Sequence, residues 1–115
     1  MPASDSQEPK IVGYWSYSPD DPALPYPQAN PEPWTGQDKF VAKLKAIEQG
    51  IRERRYGRVT AYRGWSMCRL CRVPNGNEEF ELDAYRWPSG FLHYVEAHNV
   101  CPPDEFLAAV RKSER

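Results

Sequence analysis

The sequence predicts a small α+β domain built around a staple: a treble-clef-like knuckle, a β-hairpin and a helix, with an amphipathic helix before them and a proline-rich extended strap at the N-terminus. Three observations predict it. Cys68-Arg-Leu-Cys71 is followed downstream by His93-Tyr-Val-Glu-Ala-His98, two ligand pairs for one ion. Apolar residues recur at helical spacing from Phe40 to Ile51, whereas Arg58–Tyr62 and Glu79–Leu82 carry the alternation of strands. Eight of the twelve prolines lie between positions 2 and 33, which excludes a helix or a central strand there. Residues 1–35 are therefore read as the strap and residues 36–115 as one domain.

Within the strap, Tyr14, Trp15, Tyr17, Tyr26 and Trp34 stand among Pro, Asp, Ser and Gln. The composition is that of a disordered or polyproline II segment, but a disordered tail rarely carries so many rings. They are expected to seat on the body or on a partner. The Pro22-Ala-Leu-Pro25 spacing is a weak SH3-type ligand signal.

Thr35-Gly-Gln-Asp38 is a helix start, with Thr35 as N-cap and Asp38 in the first turn. Phe40, Val41, Leu44, Ile47 and Ile51 form the inward stripe, and Lys39, Lys43, Lys45 and Glu48 the solvent face. Gly50 is expected to end this helix or loosen its last turn. A short strand follows at Arg58–Tyr62. Asn75-Gly76 is the strongest hairpin-turn signal; it would return the segment after Cys71 against Glu79–Leu82. Tyr85–Trp87 extends beyond a turn at Asp83-Ala84. A helix then starts at Pro88-Ser89, buries Phe91, Leu92 and Val95, and closes at Asn99 before Pro102-Pro103. A last helix begins near Asp104, with Phe106, Leu107 and Val110 inward.

Two thiolates and two imidazoles suit zinc, which is tetrahedral and usually structural when all four ligands come from protein. The bland alternative is two buried thiols and two ordinary helix histidines. The four together, in a packed body of roughly 80 residues that needs a staple, favour a structural zinc at Cys68, Cys71, His93 and His98. Trp87, Phe91, Leu92 and Val95 are expected to pack around it. On a regular helix His93 and His98 lie about 140° apart, so both reach one ion only if the helix is distorted or ends at His98. Cys101 is the reserve ligand. Arg72 stands where a knuckle usually has Gly.

Four protein ligands leave no open position for catalytic water. The His-x2-Glu-x-His spacing fits no metalloprotease pattern, the zinc-deaminase order is reversed, and an HNH-like nuclease lacks its acidic-His pair. A nuclease or metal-dependent hydrolase therefore ranks last, and no small-molecule substrate is evident. Arg52, Arg54, Arg55, Arg58, Arg63, Arg69 and Arg72, interleaved with Tyr56, Tyr62 and Trp65, offer RNA or single-stranded DNA phosphate contacts and stacking rings. The net charge of −1 and the acids from Glu78 to Asp83 argue for a solvated face instead. A protein-interaction module or accessory subunit, contacting its partner through the strap, is favoured, with nucleic acid second. No apolar run approaches the roughly 18 residues of a membrane span. Met1-Pro-Ala-Ser-Asp5 is neither a secretory signal nor a transit peptide. Three cysteines, an odd count, fit thiols in a reducing compartment, so a cytoplasmic protein is expected.

From Tyr62 to Phe106 the chain resembles a family of small uncharacterised bacterial zinc-binding proteins. The shared pattern falls on Gly64, Ser66, Cys68, Arg69, Cys71, Asn75, Gly76, Trp87, Pro88, Gly90, His93, Tyr94 and His98. The resemblance implies zinc at the two cysteines and two histidines and leaves Cys101 outside; it implies no activity. Arg72, where that family commonly has Gly, departs from it.

Overall fold

The computed structural model describes residues 10–15, 20 and 25–113. Four strands and three helices follow in the order β1 (Lys10–Ile11), α1 (Gln37–Arg52), β2 (Arg58–Met67), β3 (Pro74–Leu82), β4 (Tyr85–Pro88), α2 (Phe91–His98) and α3 (Asp104–Lys112). The sheet order is β1-β4-β3-β2. β1 lies parallel to β4, and the other neighbours are antiparallel. The domain is thus α+β, as its patterning predicts.

The core forms where the α1 stripe, the inner sheet face and the two C-terminal helices meet. Phe106 is its hub: its ring lies 5.2 Å from Tyr85, 5.4 Å from Trp87, 5.8 Å from Phe91 and 6.2 Å from Phe40. Leu44, Ile47, Ile51, Phe80, Val95 and Val110 complete it. Burial at this scale, about 1.5–3 kcal/mol for each large apolar side chain, is what orders the helices. Trp87, Phe91, Leu92 and Val95 belong to this core rather than to the surroundings of the ligand cluster, contrary to expectation.

The described residues of the strap are seated on the body. Val12 enters the core, the Trp15 ring meets Tyr94 edge-on at 5.7 Å, and Trp34 packs 5.7 Å from Phe40 while donating to the Val100 carbonyl at 3.2 Å. Tyr14 donates to Glu79, and Tyr26 to the Arg69 carbonyl at 3.4 Å. Tyr17 and the Pro22–Pro25 motif reach outside the described residues.

Several local expectations need correction. Gly36, at φ 85, caps α1 instead of Thr35, because only a left-handed residue turns the Trp34-Thr35 approach into the helix while Gln37 bonds Trp34. Gly50 lies inside α1, where Tyr56 covers it; a Cβ there would stand 2.1 Å from the tyrosine oxygen. Glu48 is 2% exposed rather than solvated, because it turns inward to accept a 2.8 Å bond from the Trp87 indole. β2 runs twice its expected length. Asn75-Gly76 is no hairpin turn. It lies within β3, where Met67 faces Pro74 and Ser66 faces Gly76, so Asn75 is the extra residue of a bulge. Gly76, at φ 140, absorbs the irregularity. The turn joining β2 to β3 is the Cys-x2-Cys segment itself.

Candidate metal centre

Residues 68–73 close that turn by backbone bonds. Cys68 donates to the Val73 carbonyl at 2.8 Å, and Arg72 to the Cys68 carbonyl at 2.9 Å. The Leu70 amide points at the Cys68 sulfur, 3.4 Å away. Arg72 takes φ 67, the left-handed conformation that explains why a knuckle prefers Gly there. The histidines arrive on α2. Asn99, at φ 57 and ψ 32, ends the helix at His98; its amide returns to Val95 at 3.1 Å and that of Val100 to Tyr94 at 3.2 Å. The helix therefore stops at the last residue that can still turn toward His93. The two imidazole rings stand 5.3 Å apart.

The ligand atoms of Cys68, Cys71, His93 and His98 all lie within 4.8 Å of one another, close enough to bind one metal ion. Cys68 Sγ is 3.4 Å from His98 Nε2, and Cys71 Sγ is 3.3 Å from His93 Nε2. A tetrahedron with metal–sulfur bonds of about 2.3 Å and metal–nitrogen bonds of about 2.0 Å has sulfur–nitrogen edges of about 3.5 Å. The residues fit such an ion. Burial, and then the neighbouring His98, hold the His93 pKa below its usual value, favouring the neutral ring that ligates. Cys101 lies outside the group.

The wall of the centre is a second, smaller apolar cluster: Cys68, Tyr94 and Val100, with Trp15 and Leu70 against them. Tyr94 fastens helix to knuckle by accepting from the Arg69 amide at 2.7 Å. Thus strap, knuckle and α2 converge on the ligands.

The arginine stretch divides. Arg52 donates twice to Glu78, at 2.9 and 3.1 Å, and lies over the Phe80 ring at 4.9 Å. Arg55 pairs with Glu53 at 3.1 Å, and Arg69 donates to the backbone carbonyls of Trp15 and Met67. Arg54, Arg58, Arg63 and Arg72 are exposed and form no ion pair within 4.0 Å among the described residues. Tyr62 and Trp65 are 50% and 62% exposed on edge strand β2, and Met67 and Val73 continue the patch to the knuckle.

Beside the centre lies a cleft of about 240 Å³, which sequence reasoning missed. Trp15 comes from the strap, Tyr62 and Trp65 from β2, Asn75 from β3, Gly90 from the start of α2 and Tyr94 from α2 itself. No sequence-local signal joins segments so far apart.

No helix among the described residues is long and apolar enough to cross a membrane. The family model described as a domain of unknown function, DUF7919, matches residues 22–111. No curated protein and no solved structure matches the chain.

Proposed function

We propose that this chain, which belongs to the DUF7919 family, is a protein-interaction module or accessory subunit without catalysis of its own, its fold stapled by a structural zinc. Two thiolates and two imidazoles at tetrahedral spacing favour zinc, and four protein ligands leave no position for a catalytic water. The order knuckle, hairpin, helix is that of a treble clef. The observation that carries the interaction role is the exposure of Tyr62, Trp65 and Met67 on edge strand β2 and of Val73 in the knuckle turn that follows it. Aromatic residues, Met and Arg are the side chains enriched in interface cores, and an open strand edge accepts an added strand. The reading places the partner on β2 rather than on the strap, because the described rings of the strap pack against the body.

Mass spectrometry of protein purified without chelator tests the metal: one zinc per chain is expected. A photo-crosslinking residue in place of Trp65, compared with one in place of Lys39 on α1, tests the face in living cells. The expected result is one protein species captured from position 65 and absent from position 39; equal capture at both overturns the assignment.

A second reading, binding of single-stranded nucleic acid, is favoured by the exposed Arg54, Arg58, Arg63 and Arg72, which in the chain flank the exposed rings of Tyr62 and Trp65. Its affinity should fall steeply as salt rises, whereas an apolar protein interface should barely respond.

A further inference from the structure

The backbone of β2 turns a defined set of groups to its open side. In an antiparallel pair each residue directs both backbone groups to one side, and its neighbour directs both to the other. Glu78 of β3 faces β4 with both: its amide donates to Ser89 Oγ at 3.1 Å, and its carbonyl accepts from the Ser89 amide at 2.8 Å. Ala61 stands opposite Glu78, so the amide and carbonyl of Ala61 point away from β3. Tyr62, next along, turns the other way, its carbonyl accepting from the Asn77 side chain at 3.0 Å. The same alternation turns Val59, opposite Phe80, outward with Ala61. β2 ends the sheet. The donors and acceptors of Val59 and Ala61 therefore line an open edge at the spacing that an added strand bonds.

The charge along that edge narrows the occupant. β2 holds Arg58 and Arg63 and no acid, with Arg54 before it and Arg72 after it. All four are exposed and outside any ion pair within 4.0 Å among the described residues. The acids of β3 are engaged elsewhere. Glu78 pairs with Arg52 at 2.9 Å, Glu79 accepts from Tyr62 at 3.0 Å, and Glu81, opposite Arg58, lies 3.7 Å from Arg86. A long open edge invites pairing with another copy. A second copy would lay its own Arg58 and Arg63 along the same ribbon, where like charges facing across strands destabilise. A strand carrying acids gains where a second copy loses.

We propose that the outer edge of β2 takes an acidic, extended segment of another protein as an added strand, bonded by the backbones of Val59 and Ala61 and paired by Arg58 and Arg63. The proposal rests on the protein-interaction reading of this face and names the chemistry of its partner. Tyr62 and Trp65, exposed on the same strand, supply apolar contact for the remaining side chains of the segment.

The test uses the full chain purified without chelator. Hydrogen exchange reads the edge first: the amides of Val59 and Ala61 should exchange rapidly while that of Thr60, directed at β3, is protected. Slow exchange at all three in the monomer overturns the open edge. A short peptide alternating Glu and Val is then titrated while tryptophan emission is followed, beside its counterpart with Lys for Glu. Saturable binding of the Glu peptide is expected, with exchange slowed at Val59 and Ala61 and the Lys peptide bound about tenfold or more weakly. Versions of the Glu peptide N-methylated at the Glu or at the Val amides should differ about tenfold in affinity, because only one set faces β2. Arg58→Glu should weaken binding about tenfold at low salt. Ala61→Pro should weaken it similarly at an unchanged melting temperature, since an edge strand tolerates proline where the amide faces outward; if this variant fails to fold, Arg58→Glu and the methylated peptides still decide. Equal binding of the Glu and Lys peptides overturns the acidic partner, and equal binding of the methylated versions overturns the added strand. A dimer that itself slows exchange at Val59 and Ala61 makes a second copy the occupant. A single-stranded oligonucleotide bound more tightly than the Glu peptide and indifferent to Ala61→Pro makes the arginines a phosphate surface and overturns the proposal. No peptide bound while position 65 still captures one protein removes the acidic strand and leaves the interaction reading standing. No peptide bound and equal capture at positions 65 and 39 removes both.

Discussion

Two residues carry local costs that can be measured. Arg72 occupies φ 67 in the knuckle, a conformation that costs a side-chain-bearing residue about 1–2 kcal/mol. Arg72→Gly should raise stability by up to about 1 kcal/mol after the added freedom of the unfolded chain is set against it, with metal content unchanged; a lower melting temperature would show that the arginine side chain matters more than its backbone. Glu48 is the second. Burial is the main cause that lifts its pKa from 4.5 to about 7, opposed by the Trp87 bond and Arg52. The folded state therefore holds this proton where the unfolded chain has released it. The associated stability is complete below about 4.5 and is lost as pH rises through about 7, a difference on the order of 2–3 kcal/mol. Glu48→Gln should flatten the slope between about pH 5 and 7.5, the span between the unfolded and folded values, which denaturant melts of both proteins at matched pH would read; the pH dependence of the candidate metal centre, common to both, cancels in the difference. Glu48 also shows what periodicity hides. By spacing it belongs with the lysines on the solvent face of α1, and only the tertiary position of Trp87 turns it inward.

The elements show which signals survive folding and which are overridden. α1, α2 and α3 were legible because their apolar spacing, the Asn99 stop and Pro102-Pro103 act within a turn or two. Asn75-Gly76 misled because its usual role as a two-residue turn is taken over by the knuckle. Once residues 68–73 reverse the chain, the same dipeptide has only a bulge to form. The length of β2 was hidden because between Ala61 and Ser66 its pairing with β3 loses register, so strict alternation has nothing to enforce it. The gathering of Cys68, Cys71, His93 and His98 was legible because metal spacing is a short-range code, whereas the cleft was not, since its walls come from separated segments. The end of α2 can be tested. Asn99 supplies the left-handed stop, accepts from Gln37 at 2.9 Å and donates to the Asn30 carbonyl at 3.1 Å. Asn99→Gly keeps the conformation and loses two bonds, about 1 kcal/mol each. Asn99→Ala loses the bonds and adds strain of roughly 1–2 kcal/mol. Metal competition titrations should therefore rank wild type above Gly and Gly above Ala. Equal affinity of the two variants would mean that something other than the helix stop brings His98 to the site.

At the scale of the whole molecule, the Cys/His cluster with its apolar wall and the main core are separate clusters joined by one short helix. Phe91, Leu92 and Val95 of α2 enter the core around Phe106, while His93, Tyr94 and His98 face the knuckle. An isolated helix of this length is not stable in water, so α2 is held from both sides. The sequence alone suggests that loss of the staple unfolds residues 65–101. The two clusters narrow that expectation, because Phe80 and Trp87 of the β3–β4 hairpin are anchored in the main core. Removing the metal should release the knuckle, the last turn of α2 and the Trp15 contact. It should leave α1, α3 and the hairpin folded at reduced stability. Hydrogen exchange on metal-loaded and chelated protein reads this directly. Protection should vanish over 68–73 and 96–100 while the amides of α1 and of Phe80 to Leu82 keep theirs, and Cys68→Ala should reproduce the chelated pattern. Uniform loss across the chain would mean that the ion holds the whole fold, and unchanged protection would mean that the four ligand residues hold no ion at all.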